Sequence, residues 1–151
     1  MITGAEVLVA SGRSRTSVWI NNGRIEALGE SPLSSAVSDY EVVDASGLTL
    51  TAGLVDIQVN GGARCNLWEV TGKAELQGLC RLMVEHGVTT FLPTLITDSV
   101  DRLCKLKSGL VESGVASKEQ MNPENSEIMA RMPGFHLEGP FLSPQRPGVH
   151  P

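Results

Sequence analysis

One carboxylate, Glu138, lies where a buried strand is predicted to end and a loop to begin. The surrounding residues 135–141 read FHLEGPF, and Gly139-Pro140 is expected to end the strand and stiffen the turn. An ionised carboxylate costs several kcal/mol to bury alone, so it needs a cation, a metal ion or hydrogen-bond donors. A buried salt bridge to an arginine is the alternative that involves no chemistry.

A second polar cluster is predicted from residues 54–60, which read LVDIQVN. Because neighbouring residues of a strand point to opposite faces, one face is apolar and the other polar. The apolar residues are Val55, Ile57 and Val59, and the polar residues are Asp56, Gln58 and Asn60. Parallel strands are normally apolar on both faces, so this pattern indicates either a solvated edge strand or a site. In the second interpretation Gln58 and Asn60 point into a site at the carboxyl end of the strand.

Four further residues are candidates for the same site. Thr94 and Thr97 either donate hydroxyls into it or serve only as turn and cap residues. His136 shares a strand face with Glu138, so it is a metal ligand, a hydrogen-bonding neighbour of one, or an ordinary core residue. His150, in a loop rich in Pro and Gly, could reach over the strand ends toward a substrate.

Composition indicates a globular protein. The chain has 151 residues, of which 41% are hydrophobic and 19% charged, and this argues against disorder. Its net charge of −5 disfavours nucleic acid and anionic membranes as partners. The three cysteines form no CxxC pair and are expected to be free thiols. No signal peptide or membrane span is recognised, which predicts a cytoplasmic protein.

The chain is predicted to have two parts. Residues 1–53 read as short antiparallel strands, such as half of a small β-sandwich, with a hairpin turn at Asn21-Asn22-Gly23. Residues 54–151 alternate strands and helices, which indicates βαβ units and a parallel sheet. The predicted strands are 54–60, 88–92 and 132–137, and the predicted helices are 73–86 and 99–113, followed by a surface loop or frayed helix at 117–131.

A closed (β/α)8 barrel takes roughly 250 residues, so the second part would hold fewer than half of its units. An open three-layer α/β domain is the alternative, although three parallel strands would leave an exposed edge.

Four segments together resemble the N-acetylglucosamine-6-phosphate deacetylases of the amidohydrolase superfamily. They are 52–62, 86–97, 136–142 and 148–151, which read AGLVDIQVNGG, HGVTTFLPTLIT, HLEGPFL and GVHP. Their order and spacing fit throughout, and the resemblance covers the N-terminal part of a family member.

The resemblance implies a metal-dependent (β/α)8 barrel with a small β-sandwich, which converts N-acetylglucosamine 6-phosphate to glucosamine 6-phosphate and acetate. It implies that Glu138 is a metal ligand and that Val149 and His150 contact the substrate. Gln58 and Asn60 occupy the positions where many amidohydrolases carry His-x-His. Amides bind Zn²⁺ or Fe²⁺ less well than imidazole, so one divalent metal is expected, zinc or iron, with both residues lining the substrate site.

By the same resemblance, the remaining metal ligands, the catalytic carboxylate and the phosphate-binding residues follow Pro151. The 151 residues alone are therefore expected to be inactive and poorly soluble, and the full-length protein to be a dimer or tetramer. The alternatives are a truncated, non-catalytic form that binds a partner, or another amidohydrolase of dihydroorotase type.

Overall fold

The computed structural model describes residues 1–32, 37–62, 65–69, 72–112, 128–148 and 150. Contacts between residues divide the chain into two compact units, Met1–Ala52 and Gly53–Pro151. Within the described ranges, no helix is long and apolar enough to cross a membrane.

The first unit contains, among its described residues, short strands in two sheets and one 3-10 turn at Val37–Asp39. The strands are β1 (Ile2–Thr3), β2 (Glu6–Val9), β3 (Gly12–Arg15), β4 (Val18–Asn21), β5 (Arg24–Leu28), β6 (Val43–Asp44) and β7 (Thr49–Leu50). The strand order is β5-β4-β1-β6 in one sheet and β3-β2-β7 in the other. β1 and β3 were not predicted, since β1 has two residues and β3 (GRSR) lacks an apolar alternation.

Strand pairing in this unit corrects the prediction of purely antiparallel structure. The hairpins β2–β3 and β4–β5 are antiparallel, but β1 pairs in parallel with β6, and β2 with β7. Alternation of polar and apolar residues indicates which face of a strand is buried and carries no information on the direction of its neighbour. A small apolar core forms around the buried side chains of Ala5, Val7, Val18 and Ala45.

The hairpin turn between β4 and β5 is confirmed. Asn22 and Gly23 both have positive φ, at 48° and 71°, as a two-residue turn between twisted strands requires. The indole of Trp19, on β4, donates a hydrogen bond of 2.9 Å to the carbonyl of Gly29 just after β5.

The second unit has the predicted strand–helix–strand–helix–strand order. Its elements are β8 (Leu54–Val59), β9 (Gly61–Gly62), β10 (Cys65–Asn66), α1 (Lys73–Glu85), β11 (Val88–Ile96), α2 (Val100–Glu112) and β12 (His136–Glu138). The main sheet has the order β12-β11-β8, and all its pairs are parallel. The predicted parallel sheet is therefore confirmed within the described residues, while the small β9–β10 ribbon was not predicted. The predicted loop at 117–131 lies mostly outside the described residues.

The central strand, β11, is longer than predicted. It continues through Pro93 and ends at Ile96, whereas the sequence suggested an end at Leu92. A proline donates no ladder hydrogen bond and is tolerated in strands at irregularities. The pairing of β11 with β8 shifts register between Phe91 and Pro93, which accommodates it.

Helix ends follow the sequence signals closely. α1 is followed by Gly87, whose φ of +81° fits the predicted stop. At the start of α2 the hydroxyl of Ser99 accepts a hydrogen bond of 3.3 Å from the backbone N–H of Arg102, which identifies Ser99 as the N-cap.

The core of the second unit lies between the helices and the sheet. It contains Leu76, Leu79 and Cys80 from α1, Leu103 and Leu110 from α2, and Phe91 and Leu95 from β11. All three cysteines are free thiols, as expected, with Cys65 and Cys80 buried and Cys104 exposed. Burial, and to a smaller degree the nearby Cys65, raises the pKa of the Cys80 thiol to about 12.

Strand β8 differs from the expectation of a buried apolar face. Val59 is buried, but Val55 and Ile57 are 65% and 66% exposed. Among the described residues β8 is an edge strand, because its one neighbour in the main sheet is β11. The edge position agrees with one of the two interpretations within the described residues, but the exposed apolar side chains do not match the solvated polar face that it assumed. A site at the end of this strand stays a prediction.

Candidate active site

The carboxyl ends of the three parallel strands lie side by side. Ile96 is in register with Glu138, and Pro93 is in register with Val59. Asn60 directly follows β8 and Thr97 directly follows β11. The polar residues that the sequence indicated on separate segments are therefore brought to one edge of the sheet.

Glu138 has two identified side-chain neighbours. The side-chain amide of Gln58 donates a hydrogen bond of 3.0 Å to Oε2, across 80 residues of sequence. The Nε2 atom of His150 lies 3.6 Å from Oε1, which is longer than a hydrogen bond. The Glu138 side chain is 35% exposed, so the expectation of a buried carboxylate is wrong. Partial exposure to solvent lowers the cost of keeping this carboxylate ionised.

His150 is held by a threonine. Its side chain is 12% exposed, and its Nδ1 atom lies 3.0 Å from the hydroxyl oxygen of Thr97. The same hydroxyl donates a hydrogen bond of 3.2 Å to the backbone carbonyl of Glu138. Thr97 therefore connects the loop that carries His150 to the strand that carries Glu138, and it is more than a turn or cap residue.

Asn60 and His136 both contact Thr94. The amide of Asn60 donates a hydrogen bond of 3.4 Å to the Thr94 carbonyl, and Nδ1 of His136 lies 3.3 Å from the Thr94 hydroxyl. Thr94 is 2% exposed. The contact of His136 with a buried threonine fits both an ordinary core histidine and a hydrogen-bonding neighbour of a metal ligand, so these two alternatives stay open.

The described residues supply one plausible oxygen ligand for a metal. Glu138 fits because its carboxylate is partly exposed and His150 lies beyond hydrogen-bonding distance of Oε1. Among the described residues, no group of three or more His, Cys, Asp or Glu side chains could hold a metal ion. A catalytic zinc site usually has three protein ligands, so Glu138 is at most one of a set. Val149, the other predicted substrate contact, lies outside the described residues.

Sequence reasoning identified every residue of this cluster but missed two connections. The pairing of Thr97 with His150 spans 53 residues and leaves no local pattern. The close approach of Thr97 to Gly139 was missed as well, although a glycine directly after the carboxylate was a usable signal.

Solved structures with a similar arrangement of elements include a deacetylase and a hydantoinase. The N-acetylglucosamine-6-phosphate deacetylase of Pasteurella multocida has a TM-score of 0.78 at 24% identity, over 99% of this chain and 36% of that one. A D-hydantoinase has a TM-score of 0.62 at 17% identity, over 95% of this chain and 28% of that one. At these identities the likeness shows the fold alone.

The sequence comparison is more specific. N-acetylglucosamine-6-phosphate deacetylase from Caenorhabditis elegans is 33% identical over 153 residues, which cover 96% of this chain and 34% of the relative. The human enzyme of the same name is 31% identical over 155 residues, covering 99% and 34%. A Mycobacterium smegmatis variant of this deacetylase, solved with N-acetyl-D-glucosamine-6-phosphate, has a TM-score of 0.71 at 26% identity and covers 99% and 35%. No family model matches the chain.

These findings confirm the resemblance to N-acetylglucosamine-6-phosphate deacetylases that the motifs indicated. The chain spans about a third of the length of the curated relatives it matches.

Proposed function

We propose that this chain forms part of an enzyme that hydrolyses the acetamide of N-acetylglucosamine 6-phosphate to glucosamine 6-phosphate and acetate. The observation that carries the proposal is the cluster of Gln58 on β8, Glu138 on β12 and His150 in the loop after β12, at the carboxyl edge of the parallel sheet. Active sites of parallel α/β folds lie at this edge. The curated relatives that bear this activity in their names support the same substrate.

The proposed architecture is a (β/α)8 barrel of which β8, β11 and β12 are the first strands. In this proposal residues 1–53 are a portion of the accompanying β-sandwich and residues 54–151 are the first βα units. The parallel order of the main sheet and the likeness to amidohydrolase structures support it.

Glu138 is the proposed metal ligand, and Gln58 is proposed to orient its carboxylate through the 3.0 Å hydrogen bond to Oε2. One divalent ion, zinc or iron, would polarise the amide carbonyl and lower the pKa of a bound water. Gln58 and Asn60 are weak ligands for such ions compared with imidazole, which favours one metal over two. The further ligands and the catalytic base would come from outside the described residues.

His150 and Val149 are the proposed contacts to the sugar phosphate, with Gln58 and Asn60 lining the same mouth. His150 supports this role by its place beside the carboxylate, 3.6 Å from Oε1. The proposal includes a cytoplasmic homo-oligomer, a dimer or tetramer, with no nucleic-acid or membrane partner. The net charge of −5 supports the absence of polyanionic partners.

The test is acetate release from N-acetylglucosamine 6-phosphate by the protein at the length its own cells produce. We expect turnover in the wild type and a loss of at least about 100-fold in Glu138→Gln, because the amide is a poor metal ligand. Glu30→Gln, at an exposed position, is the matched control and should keep the wild-type rate. Full activity in Glu138→Gln, or no acetate release by the wild type, would refute the proposal.

A partner-binding role is the second candidate, and exposed apolar side chains favour it. Phe141 is 92% exposed, and Val55 and Ile57 are 65% and 66% exposed. Contiguous exposed apolar patches mark interaction sites, and these side chains are candidates for such patches. Two results together would favour this role over catalysis. The natural-length protein would show no deacetylase activity, and the 151-residue chain would bind a longer copy of itself in sedimentation experiments.

A further inference from the structure

The hydroxyl of Thr97 lies between the backbone of Glu138 and the ring of His150. It donates its hydrogen to the Glu138 carbonyl oxygen at 3.2 Å, and its oxygen lies 3.0 Å from Nδ1 of His150. A threonine hydroxyl has one hydrogen and two lone pairs. The carbonyl oxygen can only accept, and assigning the hydroxyl hydrogen to it leaves Nδ1 of His150 as the donor to the hydroxyl oxygen.

We propose that Thr97 is a positioning residue that fixes neutral His150 in the tautomer with its hydrogen on Nδ1. The hydrogen bond made by one ring nitrogen decides the state of the other, so Nε2 is left as an acceptor. Nε2 lies 3.6 Å from Oε1 of Glu138. The site thus presents two acceptors side by side, an arrangement suited to a ligand hydroxyl or a cation.

Gly139 leaves the space that the Thr97 side chain occupies. Its φ is +105°, a conformation that other residues rarely adopt. A Cβ atom at this position would overlap the Thr97 hydroxyl and lie 3.1 Å from the Thr97 Cβ. The absence of a side chain at Gly139 is therefore needed for the Thr97 hydroxyl to occupy the position in which it contacts His150.

The tautomer is independent of the proposed deacetylase activity. Only the use of Nε2 to bind a sugar hydroxyl rests on the proposed function. The test therefore needs a spectroscopic measurement, which remains informative if the enzyme assay fails.

Two-dimensional NMR of the protein at the length its own cells produce, labelled with 15N-histidine, reports the tautomer of each ring. Spectra are recorded in metal-free buffer with a chelator, at a pH above which the ring shifts no longer change. His86 is an internal reference, because its Nδ1 lies 2.9 Å from the carbonyl of Leu82 and must carry hydrogen when it donates there. We expect the wild-type His150 signals to match the His86 pattern.

Thr97→Val keeps the shape of the side chain and removes the hydroxyl, whereas Thr97→Ser keeps the hydroxyl. We expect Thr97→Val to lower the ratio of the Nδ1–H to the Nε2–H form of His150 by about fivefold, the worth of one ordinary hydrogen bond. Thr97→Ser should restore the wild-type ratio, and His86 should be unchanged in both.

Gly139→Ala is the second variant, and it should lower the same ratio with Thr97 intact. A wild-type His150 in the Nε2–H form would overturn the proposal. So would an unchanged tautomer in Thr97→Val or Gly139→Ala when the backbone amide spectrum shows a folded chain. A Thr97→Ser variant that behaved like Thr97→Val would also contradict it.

Discussion

Cys80 gives the second unit a predictable sensitivity to alkaline pH. Its side chain on α1 has no exposed surface. Burial raises the pKa of the thiol from its ordinary 9.0 to about 12, and the neighbouring Cys65 adds to the shift. The folded protein therefore holds Cys80 neutral over a range in which the unfolded chain releases the proton.

The sign and size of the effect follow from linkage between protonation and folding. A pKa that is higher in the folded state contributes stability that is complete below pH 9 and is lost as pH rises toward 12. Each increase of one pH unit in that window lowers the free energy of unfolding by about 1.4 kcal/mol. At about pH 10.5 the free energy of unfolding should therefore have fallen by about 2 kcal/mol through this thiol alone.

The assay is urea unfolding, followed by helical circular dichroism because both described helices lie in the second unit. Wild type, Cys80→Ala and Cys104→Ala are compared at about pH 8 and pH 10.5, within the window set by linkage. Cys80→Ala should lose about 2 kcal/mol less between the two pH values than the wild type. Cys104 is exposed, so Cys104→Ala should lose as much unfolding free energy between the two pH values as the wild type. An equal loss of unfolding free energy between the two pH values in wild type and Cys80→Ala would refute the reasoning.

Two further predictions concern packing and backbone conformation. Leu79 is 1% exposed in the helix–sheet core, so Leu79→Ala should lower the free energy of unfolding by about 2–5 kcal/mol. Leu54→Ala, at a side chain 58% exposed, is the matched control, and an equal loss there would contradict the assigned core. Gly23 has φ of +71°, so Gly23→Ala should cost about 1 kcal/mol, read by Trp19 fluorescence. Gly78 is inside α1 with open space around it, so Gly78→Ala should raise the free energy of unfolding by about 0.5–1 kcal/mol. If the alanine substitutions at Gly23 and Gly78 changed the free energy of unfolding in the same direction, this account would be excluded.

Local chemistry explains which elements were predictable from sequence. The apolar spacing of α1, its stop at Gly87 and the turn at Asn22-Gly23 each depend on a few neighbouring residues. The parallel pairing of β1 with β6 was not predictable, because Ile2 and Val43 meet across 41 residues and no nearby residue specifies that contact. The length of β11 was underestimated because a proline normally ends a strand, and here a register shift accommodates it.

The candidate site shows the same division. Residue type and strand periodicity were enough to select Gln58 and Glu138, whereas His150 was selected from its loop and from the family resemblance. Periodicity does not report how deeply the end of a strand is buried. The burial of Glu138 was inferred from a buried strand, and that inference was wrong. The contact of Thr97 with His150 depends on the path of a loop, and that path is set by tertiary structure.

The register between β11 and β12 has a consequence for how this chain tolerates changes of length. Thr94 pairs with His136 and Ile96 with Glu138, so both site residues on β12 share one face. Side chains alternate along a strand, and deletion of one residue between Gly134 and His136 would turn that face around. A point substitution at Glu138 removes one group, whereas such a deletion would displace His136 and Glu138 together. Short insertions and deletions just before β12 should therefore be rarer among functional sequences than substitutions in the same segment.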